Sequence, residues 1–171
     1  GAYPVLDYVG GRISPEMETP KLLWLSRHRP DSFARAAHFF DLSDYLTWRA
    51  TGSLDRSVCT VTCKWTYLAH ENRWDPDYFR QTGLGKLADE GFRRIGTNVV
   101  APGTPLGGLT EGAAAEMGLA PATPVAAALI DAHAGGVGTL CVSAARQSAD
   151  VGKRLAYIFG TSACSMASAP D

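Results

Sequence analysis

The chain has 171 residues, 46% of them apolar, enough to bury a sizeable core, and a single globular unit is the default expectation. Its 16 Lys and Arg nearly cancel its 17 Asp and Glu, for a formal charge of -1, and no basic run appears, which argues against nucleic acid as a partner. The longest apolar stretch, 124–130, is too short to cross a bilayer and no basic-then-apolar leader opens the chain, so a soluble cytoplasmic protein is expected.

In chain order, Thr19-Pro20 followed by Lys21-Leu22-Leu23-Trp24-Leu25 opens a helix that must stop before Pro30. Phe39-Phe40 reads as a short strand. Asp41 or Ser43 then caps a helix through Tyr45, Leu46, Trp48 and Arg49 that Gly52 ends. The stretch 58–67 is rich in β-branched and aromatic residues, which suits a strand or an extended loop. Trp74-Asp75-Pro76-Asp77 starts another helix, running to about Gly83. The glycines and proline of 103–108 are turn chemistry, after which Thr110 caps an alanine-rich helix ending at Gly118. Residues 124–130 are uniformly apolar, as a strand covered on both faces would be, and Asp131 closes them before a small-residue helix over 132–140. The polar stretch 146–152 suits a surface turn. Residues 153–168 then outline a hairpin, two strands joined by a Gly160-Thr161-Ser162 bend, and the class is α/β.

Cys59, Cys63, Cys141 and Cys164 lack CxxC spacing and have no histidines at zinc-site intervals. They are expected as reduced, mostly buried thiols, with a disulfide or metal at Cys59 and Cys63 the rarer alternative. No metal ligands are therefore assigned.

Three places carry candidate chemistry. Asp131 follows a buried strand, where α/β folds place reacting groups, although the same position suits a plain helix cap and one role does not exclude the other. His133 stands without a partner histidine and is read as structural or merely exposed. The Gly160-Thr161-Ser162 bend offers backbone N–H groups and hydroxyls to an anion, but such turns also form for conformational reasons alone. Lys64, between Cys63 and Trp65, is a positive charge in an apolar segment, either donating to a ligand oxygen or reaching the surface.

Taken in order, Ile13-Ser14-Pro15-Glu16-Met17, Thr19-Pro20-Lys21-Leu22-Leu23-Trp24-Leu25, Asp41-Leu42-Ser43-Asp44-Tyr45-Leu46, Cys63-Lys64-Trp65, Gly103-Thr104-Pro105-Leu106-Gly107, Ile130-Asp131-Ala132-His133-Ala134-Gly135 and Gly160-Thr161-Ser162 resemble the FGGY carbohydrate kinases, most closely the D-ribulokinase-like branch. The resemblance covers nearly the whole chain. It implies part of an actin-like, ribonuclease-H-like ATPase domain, incomplete at its N-terminal strands, with 1–152 in the N-terminal domain and 153–171 opening the nucleotide-binding one. It implies ATP and Mg2+ as cofactors and a small sugar or polyol as substrate, most of all D-ribulose. L-ribulose, xylulose or glycerol, or a non-catalytic sugar-binding module, are the alternatives.

On this resemblance Asp131 matches the catalytic aspartate beside the phosphate-accepting hydroxyl, Lys64 matches a lysine that holds the ketose, and Gly160, Thr161 and Ser162 match the turn facing the nucleotide phosphates. The family's opening strand and phosphate loop have no counterpart here. The chain opens on Gly1 and ends on Pro170-Asp171 directly after a strand-like run, so it is expected to be an internal piece, inactive alone. Sheet edges left open in such a piece would favour association, and a homo-oligomer is left open.

Overall fold

The computed structural model describes residues 3–146, 151–160 and 163–167, with the backbone alone for 142–146. The chain divides into two compact units, Gly1–Ala128 and Leu129–Asp171.

The first unit is mainly helical. A single turn, α1 (Pro4–Asp7), precedes α2 (Glu18–His28) and α3 (Pro30–Arg35), which Arg29 separates with non-helical φ and ψ of -140° and 58°. The break falls where Pro30 forbids the residue before it from continuing the helix. Next come α4 (Leu42–Thr51), a two-residue strand β1 (Arg56–Ser57), α5 (Val58–Trp65), a 3-10 turn at Ala69–Glu71, α6 (Pro76–Thr82) and α7 (Gly85–Asp89). Strand β2 (Val99–Val100) pairs parallel with β1. Strand β3 (Pro105–Gly108) and β4 (Pro124–Ala126) pair antiparallel around α8 (Glu111–Met117).

The expected side-chain cap of α4 is not formed, since Asp41 at its cap position makes no such bond and the Ser43 hydroxyl goes to Thr60 instead, but the starts of α6 and α8 are capped. Asp75 Oδ1 accepts the N–H groups of Asp77 and Tyr78, both at 3.1 Å, and Thr110 Oγ1 accepts that of Ala113 at 3.2 Å. Gly52, Gly83 and Gly118 close α4, α6 and α8 in the left-handed region.

Other expectations are corrected. Residues 58–65 form a helix rather than a strand or loop, because Val58, Val61 and Trp65 recur at helical spacing and pack into the core, which outweighs their β propensity. Phe39-Phe40 is not a strand. Phe39 instead donates its N–H to Arg94 O at 2.8 Å, and its ring stacks on Phe33 with centroids 5.3 Å apart. Within 103–108, only the start is a turn. Gly107 sits at a bulge with φ +112°, and at Gly108 an added Cβ would lie 2.6 Å from the Ala122 backbone, so the first glycine serves the bulge and the second a close backbone approach. Of the apolar run 124–130, three residues form a strand, its two ends exposed, with β3 as its one partner among the described residues. Cys59 is buried, Cys63 and Cys164 are half-buried and Cys141 is exposed, all as thiols.

Aromatic packing builds the main core. Trp74 stacks on Phe92 and meets Tyr67 and Phe79 edge-on, with centroids 5.0 to 5.8 Å apart, and its indole N–H donates to Gly96 O at 2.8 Å. Val61, Phe79, Leu87 and Ile95 are fully enclosed. Arg94 ties the periphery to this core, pairing with Glu90 at 2.6 Å and donating to Phe33 O at 2.7 Å. A smaller cluster of Ala50, Leu109, Ala113 and Ala114 joins α4 to α8.

The buried face of α4 is polar. Asp44, Thr47 and Ala50, three residues apart, turn inward, whereas Leu42 and Leu46 are 69% and 56% exposed. Asp44 Oδ1 accepts the N–H of Ser57 at 3.0 Å, and the Ser43 and Thr60 hydroxyls bond at 3.0 Å. Next to Asp44 lies Arg56, also enclosed, its guanidinium carbon 3.8 Å from the centroid of Phe40 and its Nη1 donating to Leu54 O. Asp44 Oδ2 and Arg56 Nε and Nη2 are buried without hydrogen-bond partners among the described residues. Desolvation pushes the Asp44 carboxyl up to about 6, against the opposing effects of the Ser57 N–H and the Arg56 charge. Burial likewise lowers Arg56 to about 10, leaving it protonated at neutral pH.

The second unit consists of α9 (Asp131–Arg146), a 3-10 turn at Val151–Lys153, and an antiparallel hairpin of β5 (Leu155–Phe159) and β6 (Ala163–Ala167) in register from Leu155 opposite Ala167 to Phe159 opposite Ala163. The hairpin expected from the sequence is therefore present. The helix is longer than expected, taking in 141–146, and residues 147–150 of the expected polar turn lie outside the described residues. Small residues let the hairpin approach α9, since a Cβ at Gly136 would fall 2.6 Å from Met166 Sδ. Ala156 is fully buried, whereas Leu155, Tyr157 and Phe159 lie on the opposite strand face and are exposed.

Two stability outcomes follow. A Cβ at Gly96 would lie 2.4 Å from Arg56 Cγ, at a φ of +120°. With Arg56 held over Phe40, Gly96→Ala is expected to lower unfolding free energy by on the order of 2–4 kcal/mol, read from denaturant midpoints. An unchanged midpoint would show that Arg56 can move aside. For Asp44, the folded carboxyl holds its proton to about 6 against an ordinary 3.8, so its contribution to stability is full below the lower value and lost as pH rises through the upper. Relative to D44N, the wild type should lose on the order of 2–3 kcal/mol from about pH 4 to about pH 6. Parallel stability curves for the two proteins would contradict this.

Candidate functional site

Lys64 lies in the last turn of α5 and Asp131 starts α9, so the two belong to different compact units and each is described within its own.

In the first unit, α5 is held by its apolar side. Val61 and Trp65 are enclosed by the core, and Thr66 stops the helix in the left-handed region with φ +69°. The chain then turns back, with Tyr67 donating its N–H to Val61 O at 3.1 Å. Lys64, next to Trp65 on the helix, is consequently half-buried, and its ammonium has no ion pair or hydrogen bond among the described residues. A cation in the last turn is favourably placed against the helix dipole, but that alone leaves its three donors available to a ligand.

In the second unit, Asp131 opens α9 as an exposed residue. Its Oδ1 accepts the N–H of Ala132 at 2.7 Å, while the other carboxylate oxygen has no partner among the described residues. It is thus a helix-start residue with spare acceptor capacity. Asp131 and Ala132 line a cavity of about 320 Å³ together with Ile158, Phe159, Gly160, Ala163 and Cys164 from the hairpin. The structure therefore brings Asp131 and Gly160 to one cavity. Thr161 and Ser162, the other bend residues singled out in the sequence, lie outside the described residues. Gly160 is exposed, and an added Cβ would meet nothing within 4 Å among the described residues, so Gly160 itself can be approached from that side.

The sequence reading passed over Asp44 and Arg56 as groups of consequence. The signal for Asp44 is the i, i+3, i+6 series Asp44, Thr47 and Ala50, which places a carboxylate on the inward face of α4. In the expected helix, the neighbouring Tyr45, Leu46 and Trp48 obscured it.

No helix among the described residues is long and apolar enough to cross a membrane. Residues 6–138 match the model of the FGGY family of carbohydrate kinases, N-terminal domain. An FGGY carbohydrate kinase domain-containing protein of Danio rerio is 49% identical over 172 residues, covering 96% of this chain and 31% of that protein. A D-ribulokinase of Saccharomyces cerevisiae is 34% identical over 183 residues, covering 93% of this chain and 26% of the yeast protein. The chain thus spans about a third or less of the length of these relatives. The crystal structure of a xylulose kinase from Rhodospirillum rubrum superposes with a TM-score of 0.62 at 21% identity, over 88% of this chain and 28% of that one, which shows a shared fold. The mixed helix-and-strand architecture is therefore that of a sugar kinase segment, and this chain belongs to the FGGY family of carbohydrate kinases.

Proposed function

We propose that the protein carrying this chain transfers a phosphoryl group from ATP to a hydroxyl of a ketopentose, D-ribulose above all, and that this chain supplies part of the sugar site and the base. The observation that carries the reading is Asp131, exposed at the start of α9, with a carboxylate oxygen to spare, lining a cavity together with the Gly160 bend. Likeness to a yeast D-ribulokinase at 34% identity supports the sugar.

The roles follow from residue chemistry. A sugar hydroxyl that attacks phosphorus must lose its proton, and a compact carboxylate held at a helix start can accept it without crowding the acceptor. Phosphoryl transfer passes through a loose transition state, so where Asp131 holds the hydroxyl matters more than its base strength. Lys64 would hold the ketose by donating to its oxygens. Gly160, Thr161 and Ser162 would face the nucleotide phosphates, and the open backbone at Gly160 fits that role because an anion can approach it without meeting a side chain. ATP with Mg2+ supplies the phosphoryl group and offsets its charge; no residue of this chain is assigned as a metal ligand. On this reading 1–152 belongs to the sugar-binding domain of a ribonuclease-H-like fold and 153–171 to the start of the nucleotide-binding one.

The full-length protein is expected to release ADP faster with D-ribulose than with L-ribulose, D-xylulose or glycerol. In it, D131N should lower kcat by about 10²–10⁴ while leaving sugar binding by calorimetry intact, as loss of a positioned base does. Unchanged turnover in D131N would refute the assignment of the base, and equal rates across the sugars would refute the choice of D-ribulose.

A further inference from the structure

Lys64 stands at one end of α5, and the other end is anchored by α4. Ser57, at the cap position of α5, makes no capping bond with its own hydroxyl, which is buried without a partner. The Asp44 carboxylate from the neighbouring helix instead takes the Ser57 N–H at 3.0 Å, and one turn into α5 Thr60 shares a 3.0 Å hydroxyl bond with Ser43. Both anchors come from consecutive residues at the start of α4. They place a negative charge beside the positive end of the α5 dipole and hold the helix against rotation about its axis.

This arrangement is expensive for stability alone. Asp44 is 2% exposed with Oδ2 unpartnered, and Arg56 beside it is 1% exposed with two nitrogens unpartnered. Apolar residues of similar shape would commonly serve stability as well as an incompletely satisfied buried pair. What apolar residues cannot supply is a directional acceptor that sets where the first turn of α5 sits. Lys64 lies seven residues beyond Ser57, about 10 Å along a helix, so a tilt of about 5° at the anchor moves it by about 1 Å, enough to weaken a positioned contact severely.

We infer that Asp44, assisted by Ser43, is a positioning residue for the sugar site, acting on Lys64 through the seat of α5. The inference rests on the reading that Lys64 holds the ketose, and the two are separable by experiment. In the full-length protein, with D-ribulose and ATP each varied, D44A should raise KM for the sugar about tenfold with kcat and KM for ATP within about twofold, since one directional hydrogen bond is lost remote from the reacting atoms. D44N keeps the oxygen that accepts from Ser57 and should restore most of the sugar KM. S43A should raise it by a smaller factor, about threefold. K64M should raise sugar KM as well, and D44A added to K64M should bring no further rise, because both changes act through one ammonium.

A rise in K64M with none in D44A overturns the inference and leaves the Lys64 reading standing. No rise in K64M refutes the Lys64 reading and the inference with it. Full additivity in the double variant also overturns the inference, since Asp44 would then act elsewhere. Should D44A not fold, S43A decides: a raised sugar KM at unchanged kcat supports the anchor, and a wild-type KM overturns it.

Discussion

The first unit depends on how an aspartate and an arginine are kept out of water side by side. Asp44 and Arg56 are both enclosed, and their mutual attraction only partly offsets the desolvation of each. The geometry that makes this tolerable is a set of neighbours recruited from far along the chain: Ser57 N–H on the carboxylate, Phe40 beneath the guanidinium, Leu54 O on its Nη1, and a glycine at 96 that leaves room for its stem. Those partners are what hold α4, β1, α5 and the 96–100 segment together. Phe40 lies under Arg56 while Phe39 stacks on Phe33, so both aromatics of this strand-like sequence are used in side-chain packing, and neither residue belongs to a strand.

The same constraint explains the outward-facing leucines of α4. With Asp44 and Thr47 required inside, Leu42 and Leu46 must point away. A helix whose polar face is buried and whose apolar face is exposed reverses the usual amphipathic logic, and here it does so because the inward face serves a hydrogen-bonding task. The second unit is built in the opposite way. Glycines along α9 let the hairpin lie close by, with the Met166 and Ile158 side chains over Gly136 and Gly135, and Asp131 and Gly160 line a cavity beside them. A carboxylate at a helix start is a suitable reactive group, because the helix fixes where it is presented.

Family membership and fold carry different weight from the site. The match over 6–138 and the superposition on a xylulose kinase establish what kind of chain this is. The roles proposed for Lys64, Asp131 and Gly160 are supported by their own surroundings: a half-buried lysine whose ammonium has no partner among the described residues, an aspartate with a spare oxygen, and a glycine with open space where a side chain would stand. Function lies in such local chemistry rather than in the fold that presents it.

Much was legible in the residues themselves. The Asp75 and Thr110 caps, the glycine helix ends, the break at Pro30 and the terminal hairpin are short-range matters, decided by φ, ψ and donors within a few positions, and local chemistry settles them. The order of motifs also pointed to the family. What only the tertiary structure decided were the long-range cases: that 58–65 is a helix because Val61 and Trp65 face a core built largely by 74–95, that Gly107 and Gly108 belong to a strand because they pair with Val125 and Pro124, and that Asp44 turns inward to meet a backbone amide 13 residues away. In each, the deciding partner lies beyond any local window, so propensity named the wrong element or missed the residue, while the energy of packing and of satisfying buried donors selected the observed one.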